Sequence, residues 1–176
     1  MNYTLLEKMI CDTVKEEQIK LGYERETVRL YYPMSTLANI LEEEIHDTEK
    51  MDEILEGFIR TSSERLGKLK ISHTGNRYCI LVPPEGSAYI HEVYDENPFL
   101  EEFINAVRRH DGTLESILAV FRSYSNQVIC EKSGLEDFDY VIYFGDEKQE
   151  DYRYCIKFEG GHTIYHRFLK KDYEML

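Results

Sequence analysis

The 176-residue sequence has no tryptophan, only four prolines and little positive charge, and each shortage excludes something. Cys11, Cys79, Cys130 and Cys155 stand far apart with no CxxC pair, which excludes zinc-ribbon and thioredoxin-type motifs. Such a scatter suits reduced, packed thiols and makes the cytoplasm the expected compartment. No apolar run approaches the roughly 20 residues of a membrane-spanning helix. Glu7, Lys8 and Asp12 break up any secretory apolar core near the start. Lysine and arginine number 21 against 34 aspartates and glutamates, a formal net charge of −13. Residues 1–95 carry 11 basic and 18 acidic groups, net −7, so the excess is spread along the chain. Nucleic acid and anionic membranes are bound by neutralising phosphate, so this balance argues against both unless a local basic patch intervenes. A basic protein partner is compatible with it, as is a homo-oligomer. No cysteine, serine or threonine stands in a nucleophile setting, and no catalytic residue, metal site or cofactor is assigned.

What is present is an ordinary globular composition, 42% hydrophobic and 31% charged, with 14 tyrosines and eight phenylalanines to fill a core. The chain is organised around Leu66–Tyr94, which reads as a β-hairpin followed by a short extended segment. Before it, Leu6, Met9, Ile10, Val14 and Leu21 recur at helical spacing and Gly22 stands where a helix stops. TVRLYY, Thr27–Tyr32, reads as an edge strand ended by Pro33. Ser35 is placed to cap a helix carrying Leu37, Ile40, Leu41 and Ile45, and Thr48 to cap a third with Met51, Ile54, Leu55 and Phe58. Lys68–His73 and Arg77–Val82 are the hairpin strands, turned at Thr74-Gly75-Asn76. Ala88–Tyr94 is expected to add a third extended segment.

Asn97-Pro98 opens a helix lined by Phe99, Leu100, Phe103, Ile104 and Val107. After Asp111-Gly112, Thr113 opens its antiparallel partner with Leu114, Ile117, Leu118 and Phe121. From Gln127 the period becomes two, giving strands at Gln127–Glu131, Phe138–Phe144, Tyr152–Phe158 and His162–Phe168. Alternation assigns the even-numbered residues of the last three to one aromatic face beneath the helix pair. The expected fold class is α+β: a winged-helix-like half over 1–95, α-β-α-α-β-β, then a helix pair and antiparallel meander over 96–176, sharing one core.

That order over residues 1–82 resembles the winged-helix family, whose third helix enters a major groove while the hairpin, the wing, touches the backbone. The wing here carries Lys68, Lys70, His73 and Arg77. The helix in the reading position carries Glu49, Asp52, Glu53 and Glu56 against Lys50 and Arg60, a set that repels phosphate. The chain is also similar, in class only, to acidic tandem winged-helix proteins that serve as non-catalytic subunits of chromosome-organising complexes, bound to a linker protein.

Two His-Asp dipeptides, His46-Asp47 and His110-Asp111, match the metal phosphohydrolase pair, but both fall at helix ends where cap and turn chemistry explains them. Glu43 and His46 form one ExxH where a di-iron bundle needs two. His162 and His166 lie on a strand, about 13 Å apart and too far for one ion. By parity they join Tyr140 and Tyr154, a candidate ligand-binding set if a pocket opens between sheet and helices. Arg153, Lys157 and Arg167 fall on the opposite face, a candidate anion- or partner-binding trio. Gly160-Gly161 is a hairpin turn. The expected function is a non-catalytic protein-interaction or regulatory module. The alternative is a small-ligand binder or enzyme over the aromatic face, and the third is weak nucleic-acid binding through the wing.

Overall fold

Four of the seven helices among the described residues start at a short polar side chain that accepts a backbone N–H. In a computed structural model that describes residues 1–146 and 151–176, α1 (Tyr3–Leu21) begins where the Asn2 side chain accepts the Leu5 N–H at 3.0 Å. It buries Leu6, Met9, Ile10 and Val14, and ends at Gly22 with φ 80°. Strand β1 (Val28–Pro33) leads directly into α2 (Met34–Leu41). The expected Ser35 cap is replaced by Pro33, whose extended backbone enters the helix while Met34 N–H donates to the Asn76 carbonyl at 2.7 Å. For α3 (Thr48–Leu66) the cap lies one residue before Thr48: the Asp47 carboxylate accepts the Lys50 N–H at 2.8 Å. An aspartate there also complements the helix dipole.

Strands β2 (Lys70–Thr74) and β3 (Arg77–Val82) form the hairpin, with Gly75 at φ 56° in its two-residue turn. The expected extended segment at Ala88–Tyr94 is instead part of α4 (Pro84–Val93). Two prolines and a glycine read as turn chemistry, but Pro83 is the extended cap and Pro84 opens the helix, where a missing N–H costs nothing. Gly86 is required on that helix: a Cβ there would run into the Leu66 carbonyl oxygen and meet Val82 Cγ1 at 2.9 Å.

The first sheet has the order β1-β3-β2, antiparallel throughout. Leu30, Tyr78, Ile80 and Val82 are buried on its inner face.

In the later part, Asn97 caps α5 (Pro98–Val107) through the Leu100 N–H, and Thr113 and Ser116 form a capping box on α6 (Leu114–Tyr124). Then come β4 (Val128–Lys132), β5 (Tyr140–Phe144), β6 (Tyr152–Glu159), β7 (His162–Leu169) and the one-turn α7 (Lys170–Tyr173). The sheet runs β4-β5-β6-β7, again antiparallel. The helix pair packs on it through aromatic edges: the Phe99, Phe103 and Phe121 rings each lie 4.9–5.7 Å from that of Tyr154.

The expected faces hold for β5 and β6, where Tyr140 pairs with Ile156 and Ile142 with Tyr154. They are inverted for β7. Glu159 pairs with His162 across a two-residue turn, so Tyr154 stands opposite Arg167 and Ile156 opposite Tyr165. Gly160 and Gly161, at φ 57° and 78°, supply the two left-handed positions of that turn. The architecture is α+β, with seven helices and two antiparallel sheets among the described residues. The chain divides into two compact units, Met1–Asp95 and Glu96–Leu176.

Candidate functional site

Side chains alternate across a strand, so the register of β1, β3 and β2 fixes what the outer face of the first sheet presents. Three rows result: Arg29–Leu81–Lys70, Tyr31–Cys79–Ser72 and Pro33–Arg77–Thr74. Seven of these nine residues are exposed, and Cys79 and Leu81 on the central strand are half-buried. Tyr31 is 54% accessible, and the Arg77 guanidinium lies over its ring, 5.2 Å from the centroid. Three of the nine are cations and none is a carboxylate. Arg29 and Lys70 stand about 10 Å apart across Leu81, and Arg77 lies about 13 Å further along β3.

The four residues expected on a wing therefore separate. Lys70 and Arg77 share the outer face, while Lys68 is exposed ahead of β2. His73 belongs to the inner face opposite Tyr78, their rings stacked at 4.9 Å. Its Nε2 lies 3.3 Å from Asp52 Oδ2 on α3, and the Tyr78 hydroxyl donates to Asp52 Oδ1 at 3.0 Å. Burial and that bond raise the Tyr78 phenol well above its ordinary value. His73 thus ties the hairpin to α3.

The candidate quartet in the second unit does not converge. Tyr154 is fully buried in the aromatic core and Tyr140 is half-buried on the same face, its ring 6.4 Å from that of Phe158. His162 and His166 point the other way, paired with Glu159 and Cys155. His162 packs edge-on to His110, and His166 against Phe168 at 4.2 Å. The space expected to hold a ligand is filled by Phe99, Phe103, Phe121, Tyr154 and Phe144, all buried. The trio separates for the same reason of register. Arg153 and Lys157 share the outer face, over the Tyr143 ring at 3.8 Å and 3.6 Å from Glu159 respectively. Arg167 lies on the inner face, over the Tyr152 ring at 4.3 Å.

A family model described as "Domain of unknown function, E. rectale Gene description (DUF3877)" matches residues 3–176. The chain belongs to this family. No curated protein and no solved structure matches it.

The His-Asp dipeptides of this DUF3877 chain do structural work. Asp47 caps α3, and His110 Nδ1 lies 2.8 Å from Asp111 Oδ2 while Asp111 N–H donates to the Gly161 carbonyl. Among the described residues, no group of three or more His, Cys, Asp or Glu is placed to hold a metal ion, and no helix is long and apolar enough to cross a membrane. A cleft of about 240 Å³ opens between the end of α1 and the start of α4, with Glu17, Glu24, Glu26, Gln18 and Ser87 among its walls. Arg29 borders it, so the cleft adjoins one corner of the outer face. Sequence reading missed Arg29, Tyr31 and Leu81 as members of this surface. The alternation within VRLYY places Arg29 and Tyr31 on one face, but only the pairing of β1 with β3 brings them to Lys70 and Arg77.

Proposed function

We propose that this chain is a non-catalytic protein-interaction or regulatory module of the cytoplasm, and that its partner docks on the outer face of the first sheet. One observation carries the reading: a sheet face left open, with Tyr31 54% accessible and three cations, in a chain of net charge −13. An exposed aromatic and an arginine beside half-buried apolar side chains is the composition that interface cores favour. The order α-β-α-α-β-β with strands β1-β3-β2 supports a winged-helix-like first unit with β2–β3 as its wing. In the DNA-reading use of that fold α3 would enter the groove. Its exposed Glu49, Glu53 and Glu56 oppose phosphate, so the residues favour the protein-binding use.

Proximity labelling in the native cell tests the reading, with the wild type compared to a Tyr31→Ser, Leu81→Ser variant whose folding is checked by circular dichroism. The expected result is loss of one or a few neighbours from the variant. An identical neighbour set for both proteins overturns it.

A further inference from the structure

We infer that the segment received by this face is a short acidic stretch of another protein, with an apolar side chain between its carboxylates. This rests on the docking reading above and adds the chemistry of the occupant. Lys70 and Arg77 point from the same face, and no carboxylate occupies any of its nine positions. Among the described residues Arg29 and Lys70 form no ion pair, and Arg77 is held over Tyr31, so all three cations remain open to an anion. Between them lie Leu81, Cys79 and Tyr31, an apolar strip whose first two members are half-buried and whose third is exposed. The cations are about 10–13 Å apart, a distance an extended segment covers in about four residues at ~3.3 Å each. Two carboxylates at that spacing meet two cations while the side chain between them covers the strip.

Range of charge selects a short segment over larger polyanions. At physiological ionic strength a charge is screened over about 8 Å, so a few residues on the face sense mainly its cations. A nucleic acid extends past the face and meets the field of a −13 chain, and a second copy carries that same charge. The cleft adds direction. Glu24 and Glu26 stand in its walls together with Arg29, which lowers the pull of that corner on an anion and leaves Lys70 and Arg77 as the principal receivers.

The test is phage display of random 12-residue peptides on the full chain, counter-selected on a folded Lys70→Glu, Arg77→Glu variant. A 20-nucleotide single strand is titrated in parallel, and self-association is followed by sedimentation. The expected winners are rich in Asp and Glu around an apolar residue. They should bind the charge-reversed variant at least tenfold more weakly, lose a similar factor when their acids become amides, and be affected less by Arg29→Glu. Neutral or basic winners, equal binding to the variant, no winners, tighter binding of the oligonucleotide, or dimerisation through the face would each overturn the inference. Failure here combined with loss of a cellular neighbour in the Tyr31→Ser, Leu81→Ser variant would leave the docking reading standing with a non-acidic partner. Failure of both removes the docking reading as well.

Discussion

The two sheets of this chain are built alike on one face and differently on the other. Each packs aromatic and branched side chains against helices: Tyr78 and Ile80 in the first, Tyr154 and Ile156 in the second, all fully buried. On the opposite face of the second sheet, Val141 and Cys155 are also buried. Helix α7 and the Ser133–Phe138 connection close over them, with the Phe168 ring 6.2 Å from Phe138 and 6.1 Å from Tyr173. On the first sheet no such cover exists among the described residues, and Cys79 and Leu81, central on β3, remain half-exposed. A cysteine in mid-strand is therefore sealed in one unit and reachable in the other. The difference teaches that an open face is a specific property of the first unit and not a habit of the chain.

The comparison breaks most severely at the covered faces. Phe121→Ala removes a fully buried ring that meets Phe99, Phe103, Phe144 and Tyr154, and should cost about 3–5 kcal/mol by denaturant melting. Deleting residues 170–176 should turn the second sheet into a copy of the first in this respect. Cys155, fully buried in the wild type, should then label with a thiol reagent in the same range as Cys79.

Smaller effects sharpen the contrast. Asp52→Ala strips the Tyr78 hydroxyl and His73 of a shared partner and should cost about 1–3 kcal/mol, with looser hydrogen exchange in β2. Alkaline pH should act through the sealed thiols. Burial pushes Cys155 up to about 12 and Cys11 to about 11, against an ordinary 9.0. The folded state thus keeps protons that the unfolded chain loses above pH 9, so stability is full below that and declines as pH rises towards 12. Cys155→Ala should flatten that slope in pH-dependent melts, whatever its effect at neutral pH. The smallest expected change is Tyr31→Ala, within about 0.5 kcal/mol of wild type in the same melts. A large loss there would mean that the open face supports the fold.

Much of this was legible from local pattern, and the failures have local causes too. The amphipathic periods of α1, α3, α5 and α6 and the Asn97 and Thr113 caps are properties of a few neighbouring residues, which a sequence displays directly. Helix α4 was hidden because Pro83, Pro84 and Gly86 read as a turn when two of them begin a helix and the third allows its close approach to Leu66. The inverted face of β7 follows from arithmetic on its turn. A two-residue loop sets Glu159 against His162 and so matches even residues of β6 with odd residues of β7. That inversion dispersed both candidate sites of the second unit, leaving Tyr140 and Tyr154 inside, His162 and His166 outside, and Arg167 apart from Arg153 and Lys157.

Sequence by itself determined the α+β class, most elements and the acidic balance, because each depends on side chains within a few positions of one another. It also placed Lys70 and Arg77 on the hairpin. Tertiary structure alone decided that β1 lies beside β3, since that pairing closes a long loop and is favoured only once Leu30, Tyr78 and Ile80 are buried together. By that pairing Arg29 and Tyr31 join the cations of the β2–β3 hairpin, and an exposed hairpin becomes one continuous face.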